Sequence, residues 1–306
     1  MLSAVVAGVA AVGALHTANY WWRALRTRRR DADRLPLSSD GIVVGAEPVS
    51  LNASPTHAVL IIHGFGDTPQ TVRQLAEYLH VRHHWSVRAP LLPGHGRSLA
   101  AFDAAGSDAW RGAVHREYVA LRDQFETVVL VGLSMGGALA TLEAAQDPAL
   151  PALVLLVPYL TPPARAERLA PLAGVVNLLV PYLKGGDRTQ SIFDPSARAL
   201  ALGAGAAPPK RVRDLVAVAH DARFAASDVR APTLLIHSRT DYRIPVALAE
   251  GHRALFTTAQ VCEQRWLEGC GHVITVDYCR EQVWADTAEW LERYAGAPES
   301  SPVPLS

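Results

Sequence analysis

Apolar and polar positions alternate along this chain in two patterns that predict two kinds of element. Compact apolar runs are typical of strands buried on both faces of a sheet, and they fall at residues 58–62, 87–92, 127–133, 152–157, 233–237 and 261–267. Helical spacing separates these runs at residues 68–79, 110–125, 136–145 and 284–294. Strands that alternate with helices predict one α/β domain over residues 56–296, with a mainly parallel central sheet flanked by helices.

Residues 158–230 interrupt this rhythm. They are rich in proline and include a strongly apolar stretch at residues 169–183. An insertion after a central strand would lie over the carboxyl end of the sheet, where open α/β sheets bind ligands. We therefore interpret residues 158–230 as a lid or cap. The alternative is that they form ordinary helices and loops of the sheet's outer layer.

The first 30 residues have a different pattern, because residues 2–22 contain no acidic or basic side chain except His16. Such a stretch, if helical, is about 30 Å long and can span a bilayer core. An aromatic cluster at 20–22 suits the membrane interface, and five arginines at 23–30 place the following domain on the cytoplasmic side. We therefore predict a membrane anchor, a single N-terminal hydrophobic helix over residues 1–30. A cleaved signal peptide and a soluble helix on a cytoplasmic protein are the alternatives.

Residues 31–55 contain prolines and short apolar runs, which predict a linker followed by edge strands. At the other end, residues 297–306 are rich in Pro and Ser and predict a disordered tail.

The amino-acid composition limits which partners and cofactors are expected. The 29 basic and 29 acidic residues balance to a net charge of zero, which argues against nucleic acid as a partner. Cys262, Cys270 and Cys279 form neither a disulfide framework nor the paired spacing of a zinc site. We expect free thiols, as in a reducing compartment, and the sequence implies no cofactor or metal.

One pentapeptide carries the chemistry. Residues 132–136 read Gly-Leu-Ser-Met-Gly, which matches Gly-x-Ser-x-Gly, and they lie between a predicted strand and a predicted helix. In that context the serine occupies a strained tight turn whose flanking positions have no room for side chains. The pattern predicts Ser134 as a nucleophile.

A serine hydroxyl needs a general base, and behind such a turn the triad follows the chain order Ser, acid, His. His272 lies in a glycine-rich turn after the run 261–267, and Asp241 follows the run 233–237. We predict His272 as the base and Asp241 as the acid that orients it. Most other histidines fall in polar stretches or, like His252, in predicted surface helices, where a solvated or structural role is expected.

An oxyanion hole needs two backbone N–H donors. One is expected from Met135, the residue after the nucleophile. The other is expected from the loop at residues 63–66, where Phe65 is the best candidate and His63 supports the loop by hydrogen bonding.

Five segments together resemble a known family. They are His-Gly-Phe-Gly at 63–66, Pro-Gly-His-Gly at 93–96, Gly-Leu-Ser-Met-Gly-Gly at 132–137, Leu-Ile-His-Ser-Arg-Thr-Asp at 235–241 and Gly-His-Val-Ile-Thr-Val-Asp-Tyr at 271–278. The set is similar to the bacterial carboxylesterase and monoacylglycerol lipase branch of the α/β-hydrolase superfamily, whose members are also labelled serine aminopeptidase S33 hydrolases. The resemblance implies the α/β-hydrolase fold and carries the roles given above to Ser134, Asp241, His272, Phe65 and Met135. The N-terminal apolar segment and residues 158–230 depart from it.

These residues predict a serine hydrolase that cleaves short or medium acyl esters or monoacylglycerols. A peptidase or amidase could use the same triad but needs a carboxylate to hold a terminal amine, and the sequence does not identify one. An acyltransferase differs only in excluding water. A non-catalytic binding protein is disfavoured because every expected catalytic position is filled, and a serine nucleophile disfavours epoxide and haloalkane hydrolases.

Overall fold

The computed structural model of the chain describes residues 2–298, with side chains from Ala11 onward. Its strands are β1 (Val49–Leu51), β2 (His57–Ile62), β3 (Ser86–Ala89), β4 (Thr127–Leu133), β5 (Leu153–Leu156), β6 (Leu183–Lys184), β7 (Ala206–Ala207), β8 (Thr233–Ser238) and β9 (Cys262–Leu267). Seven of them form the central sheet in the order β1-β3-β2-β4-β5-β8-β9, and β6 pairs with β7 outside it. Of the described strands in the central sheet, β1 alone is antiparallel to its neighbour, so the mainly parallel sheet is confirmed.

Helices cover both faces of this sheet. The described helices of the whole chain are α1 (Leu2–Arg34), α2 (Gln70–His83), α3 (Leu99–Ala104), α4 (Ser107–Arg122), α5 (Met135–Ala144), α6 (Ala164–Leu169), α7 (Ala173–Leu179), α8 (Pro195–Leu200), α9 (Pro209–Ala225), α10 (Val246–Ala249) and α11 (Arg280–Ala295). Alternate residues of a strand point to opposite faces. Val129 and Val131 of β4 therefore pack against α2 and α11, whereas Val128 and Leu130 pack against α4, α5 and α9. The two cores hold the carboxyl ends of the parallel strands in one row.

The region 158–230 divides into two parts. Helix α9 packs against α5, with Val218 and Ala222 fully buried in the core of that face. It is a layer helix, so for residues 209–225 the lid interpretation is wrong and the alternative holds. Residues 158–208, which include α6, α7, the β6–β7 pair and α8, form a separate insertion whose helices α6 and α7 pack on α9.

Helix α1 continues to Arg34, four residues past the predicted boundary, and its second half packs on the domain. Ala24 is buried in a small cluster with Tyr182. Arg28 Nε donates to the Tyr182 hydroxyl at 2.7 Å, and the Asp31 carboxylate accepts the Gly205 N–H at 3.1 Å. The predicted linker at residues 31–55 is therefore wrong for its first residues, which extend the helix over the insertion.

Among the residues that the structure describes, no helix has both the length and the apolar character that crossing a membrane requires. The transmembrane anchor predicted for residues 1–30 is therefore not supported. Residues 299–306 of the predicted tail lie outside the described part of the chain.

Candidate active site

The turn between β4 and α5 has the strain that its sequence predicts. Ser134 has φ +54° and ψ −114°, a backbone conformation that residues other than glycine rarely adopt. A Cβ on Gly136 would lie 2.1 Å from the Ile62 carbonyl oxygen, and a Cβ on Gly132 would lie 2.3 Å from the Gly136 carbonyl oxygen. Both positions therefore require glycine, and the close approach of β2, β4 and α5 exposes the serine hydroxyl at the strand ends.

Three side chains far apart in sequence meet at this turn. His272 Nε2 lies 2.9 Å from Ser134 Oγ, and His272 Nδ1 lies 2.7 Å from Asp241 Oδ2. Ser134 follows β4, Asp241 follows β8 and His272 follows β9, so the carboxyl ends of parallel strands bring them together. A continuous line of hydrogen bonds thus connects the hydroxyl to the carboxylate.

The Asp241 carboxylate is held ionised by its surroundings. Burial alone would raise its pKa, but the His272 ring and two backbone N–H groups outweigh burial and lower the pKa below its ordinary value. Those donors are the N–H groups of Arg243 and Ile244, at 2.7 and 3.1 Å from Oδ1. The other carboxylate oxygen is therefore free to accept from His272 Nδ1, which leaves Nε2 facing the Ser134 hydroxyl.

The loop after β2 lies against the serine. A Cβ on Gly64 would lie 3.4 Å from Ser134 Cβ, so glycine permits the close approach. The backbone N–H groups of Phe65 and Met135 donate to no acceptor within residues 2–298. Two free donors beside Ser134 have the arrangement that stabilises a negative oxygen on an acyl carbonyl in an oxyanion hole.

His63 supports this loop rather than the chemistry. Its Nε2 accepts the Leu92 N–H at 3.1 Å, so Nδ1 carries the proton and donates to the Gly64 carbonyl at 2.9 Å. Complete burial lowers the pKa of His63 to about 4, which keeps the ring neutral. The predicted supporting role of His63 is confirmed.

A disulfide between Cys270 and Cys279 closes the loop that carries His272. The expectation of free thiols is wrong for these two residues and holds for Cys262. The Thr240 hydroxyl donates to the Cys270 carbonyl at 2.6 Å and joins the loop to the one that carries Asp241. The spacing of the cysteines did not indicate this pairing, because only the fold brings the two ends of the loop together.

Sequence reasoning missed a carboxyl group next to the site. Burial raises the pKa of Asp67 to about 6, although hydrogen bonds from Thr71 and Thr68 and the charges of Arg188 and His272 lower it. Asp67 directly follows the loop at 63–66, and this position was the only signal that could have found it.

The insertion borders the site on two sides. The Ala204 N–H donates to the Gly66 carbonyl at 2.6 Å, and the Val273 N–H donates to the Ser191 carbonyl at 2.9 Å. A Cβ on Gly271 would lie 2.6 Å from that same Ser191 oxygen. The stretch 191–204 therefore contacts both the loop after β2 and the His272 loop.

Two further histidines are buried behind the site. His252, predicted on the surface, is fully buried, and its ring centroid lies 5.2 Å from that of His237. Burial lowers the pKa of His237 to about 3 and that of His252 to about 4. In the described part of the chain no group of three or more His, Cys, Asp or Glu side chains could hold a metal ion.

Known proteins resemble the chain over most of its length. The family model described as serine aminopeptidase, S33, matches residues 53–278. A thermostable monoacylglycerol lipase of Bacillus sp. (strain H-257) is 26% identical over 262 residues, which are 83% of this chain and 98% of the lipase. A carboxylesterase of Bacillus subtilis (strain 168) is 25% identical over 239 residues, 77% of this chain and 92% of the esterase.

Solved structures of lipolytic enzymes are also similar to this chain. A structure from the work on LipS and LipT, two metagenome-derived lipolytic enzymes, has a TM-score of 0.71 and 26% identity, and the match covers 82% of this chain and 99% of the other. A monoacylglycerol lipase of Paleococcus ferrophilus has a TM-score of 0.66 at 22% identity over 81% and 98% of the two chains, which shows a common fold. The chain belongs to the serine aminopeptidase S33 family and has the α/β-hydrolase fold.

Proposed function

We propose that this protein hydrolyses carboxylic esters through a covalent acyl-enzyme, with Ser134 as nucleophile, His272 as base and Asp241 as orienting acid. The observation that carries the proposal is the line of hydrogen bonds from Ser134 to Asp241 on a strained turn. A hydroxyl at that position with a base 2.9 Å away fits nucleophilic catalysis.

The reaction proceeds in two halves. Ser134 Oγ attacks the acyl carbonyl while His272 Nε2 takes its proton, and the N–H groups of Phe65 and Met135 stabilise the oxyanion. His272 then gives the proton to the leaving alcohol. In the second half His272 removes a proton from water, which attacks the acyl-enzyme and releases the acid.

The insertion supports apolar acyl groups as substrates. Residues 158–208 act as a lid over the strand ends, because their stretch 191–204 borders the site. The lid is itself rich in apolar residues, and α6 and α7 within it carry exposed apolar side chains such as Leu169 and Val175. Relatives named monoacylglycerol lipase and carboxylesterase support short or medium acyl esters and monoacylglycerols as the substrate class.

Esters are expected to be cleaved faster than amides, by about 100-fold or more in kcat/KM, or about 3 kcal/mol in activation free energy. The purified enzyme is assayed on p-nitrophenyl esters of increasing chain length, monoacylglycerols and aminoacyl amides, with Ser134→Ala as the blank. Faster cleavage of an aminoacyl amide than of every ester would make the amidase alternative the better one.

The amidase alternative has one observation in its favour, the Asp67 carboxyl beside the site. A carboxylate there could hold the terminal amine of a peptide. Asp67→Asn separates the two functions, because it removes the negative charge. Under the ester proposal this variant changes ester cleavage little, whereas an aminopeptidase would lose activity on substrates with a free amine.

Residues 1–30 and the lid together support association with a lipid surface. Val12 and Leu15 of α1 and Leu172, Val175 and Leu178 of the lid are more than half exposed, and we name these five side chains the apolar surface. The two parts adjoin, because His16 Nε2 lies 3.0 Å from the Leu178 carbonyl oxygen. A contiguous exposed apolar patch marks an interaction site.

Exposed arginines lie beside the apolar surface on the same helix. They are Arg23, Arg26, Arg29 and Arg30, and the Arg26 guanidinium lies 5.2 Å from the Trp22 ring centroid. Apolar side chains flanked by arginine and tryptophan suit the headgroup region of an anionic bilayer. The proposed partner is therefore the surface of an anionic membrane, on which the protein lies without spanning it.

Anionic phospholipid vesicles are expected to sediment with the wild-type protein and to release it as salt rises, because the arginines attract the headgroups. Leu178→Asp should reduce the bound fraction severalfold, since it places a charge in the apolar surface. Val81→Asp on α2 is the matched control, because Val81 is 66% exposed but lies elsewhere. Equal binding of all three proteins, or none, would argue against this partner.

A further inference from the structure

We propose that Asp277 is a positioning residue for the reaction, which fixes the His272 loop to the end of the lid so that the imidazole stays aligned with Ser134. The proposal rests on the proposed function, because it assigns to His272 the part of general base. Within the described part of the chain, Asp277 itself forms no hydrogen bond with Ser134 or His272.

The Asp277 carboxylate is fully buried and accepts four backbone N–H groups. Oδ2 accepts from Gly271 at 2.7 Å and from Phe193 at 2.8 Å. Oδ1 accepts from Asp194 at 2.8 Å and from Tyr278 at 2.9 Å. A buried carboxylate is costly unless hydrogen bonds satisfy it, and four donors do so without a cationic partner.

These donors come from two separate parts of the chain. Gly271 directly precedes His272, whereas Phe193 and Asp194 belong to the stretch that runs through the lid. On the other side of His272, the Val273 N–H donates to the Ser191 carbonyl. Both neighbours of His272 are therefore tied to residues 191–194, and the carboxylate of Asp277 makes the tie on one side.

The position of the His272 ring depends on this tie. Its Nε2 must lie within hydrogen-bond reach of Ser134 Oγ, now 2.9 Å away, while Nδ1 stays on Asp241. A displacement of about 1 Å at a reacting group can cost about 100-fold in rate. The Cys270–Cys279 disulfide closes the same loop but does not connect it to the lid, so it cannot replace the carboxylate.

Asp277→Asn is the sharpest substitution, because the amide has the size of the carboxylate but only one acceptor oxygen. Its NH2 group would face two N–H donors and push them apart. We expect kcat to fall about 100-fold with a much smaller change in KM. The downfield proton resonance of His272 Nδ1–H should shift or broaden, which a loss of stability alone would not cause in the folded variant.

Asp286→Asn is the matched control. Asp286 is also buried, and it pairs with Arg265 at 2.7 Å on α11, away from His272. This variant is expected to lose stability but to keep the wild-type kcat in its folded state. A folded Asp277→Asn enzyme with wild-type kcat and an unchanged His272 resonance would overturn the proposal, and so would an equal loss in Asp286→Asn.

A second variant tests the same tie if Asp277→Asn does not fold. Arg198 Nη1 donates to the Ile192 carbonyl at 2.9 Å, so Arg198→Ala loosens the stretch at 191–194 from the lid side and leaves Asp277 intact. A severalfold fall in kcat is expected, and an unchanged kcat would count against the coupling.

The rate of Ser134 labelling by a fluorophosphonate is measured on every variant. Labelling needs the base but no particular ester, so its rate should fall with Asp277→Asn even if no tested ester is cleaved. Failure of all esters with normal labelling would reject the proposed function alone, whereas wild-type labelling of Asp277→Asn would reject the role of Asp277.

Discussion

Replacement of Ser134 by alanine is expected to lower kcat for the best ester by about 10⁶-fold. The hydroxyl is the only atom in the described site that has both a base at 2.9 Å and two free N–H donors beside it. Without it no acyl-enzyme forms, and the residual rate comes from the oxyanion hole and substrate binding. The fold should persist, because the strain at φ +54° lies in the backbone, the serine is only half-buried and its hydroxyl contacts His272.

The cost of the other two triad changes should not add to this loss. His272→Ala alone is expected to cost nearly as much as Ser134→Ala, and Asp241→Asn alone about 10⁴-fold, because the three residues act as a unit. The double variant Ser134→Ala, His272→Ala should therefore match Ser134→Ala. Steady-state kinetics and fluorophosphonate labelling measure both effects. Labelling that persists in folded Ser134→Ala, or full activity in Asp241→Asn, would contradict the assignment.

Mild acid is expected to unfold the protein. Burial lowers the pKa of His63 and His252 to about 4, that of His237 to about 3 and that of His95 well below its ordinary value. In the unfolded chain each imidazole takes up a proton near pH 6.5, whereas the buried rings of the folded protein stay neutral to a lower pH. The unfolded state therefore binds more protons between these values, and the free energy of unfolding falls as the pH falls.

The expected size of this effect is large. Each buried imidazole contributes about 1.4 kcal/mol per pH unit below 6.5. Asp67 has the opposite effect on stability. Its pKa of about 6 is raised, so the folded state binds a proton at a higher pH than the unfolded state does. The four imidazoles outweigh the one opposing carboxyl, so the free energy of unfolding is expected to fall by several kcal/mol between pH 6.5 and 4.5. That is comparable with the whole stability of a typical domain.

Urea unfolding at a series of pH values from 7 to 4.5 measures this dependence. Both ring nitrogens of His252 lack a partner among the described residues, so His252→Phe removes no hydrogen bond between them. The unfolded variant takes up one proton fewer, so its free energy of unfolding should depend less steeply on pH. His220→Gln is the matched control, since its side chain is 52% exposed, and it should leave the slope unchanged. A free energy of unfolding that stays constant over this range would show that these histidines do not govern acid stability.

The amino-acid sequence alone determined the parts of this protein that depend on local pattern. Strand β4 coincides with the predicted run because each of its residues after Thr127 is apolar or glycine and is buried on one face or the other. The turn at Ser134 was predictable because the glycines at 132 and 136 are required by backbone contacts within a few residues and with β2. The mainly parallel sheet followed from the alternation of strand and helix.

Contacts between distant segments decided the rest. Helix α9 resembled part of a lid until its packing against α5 placed it in the outer layer, and His252 looked solvated until β8 and its neighbours enclosed it. Contacts between distant surfaces also decide three other features. They are the Cys270–Cys279 disulfide, the packing of α1 on Tyr182 and the four N–H donors around Asp277. Hydrophobic periodicity shows only that a residue faces an apolar surface, and the tertiary structure alone decides which element supplies that surface.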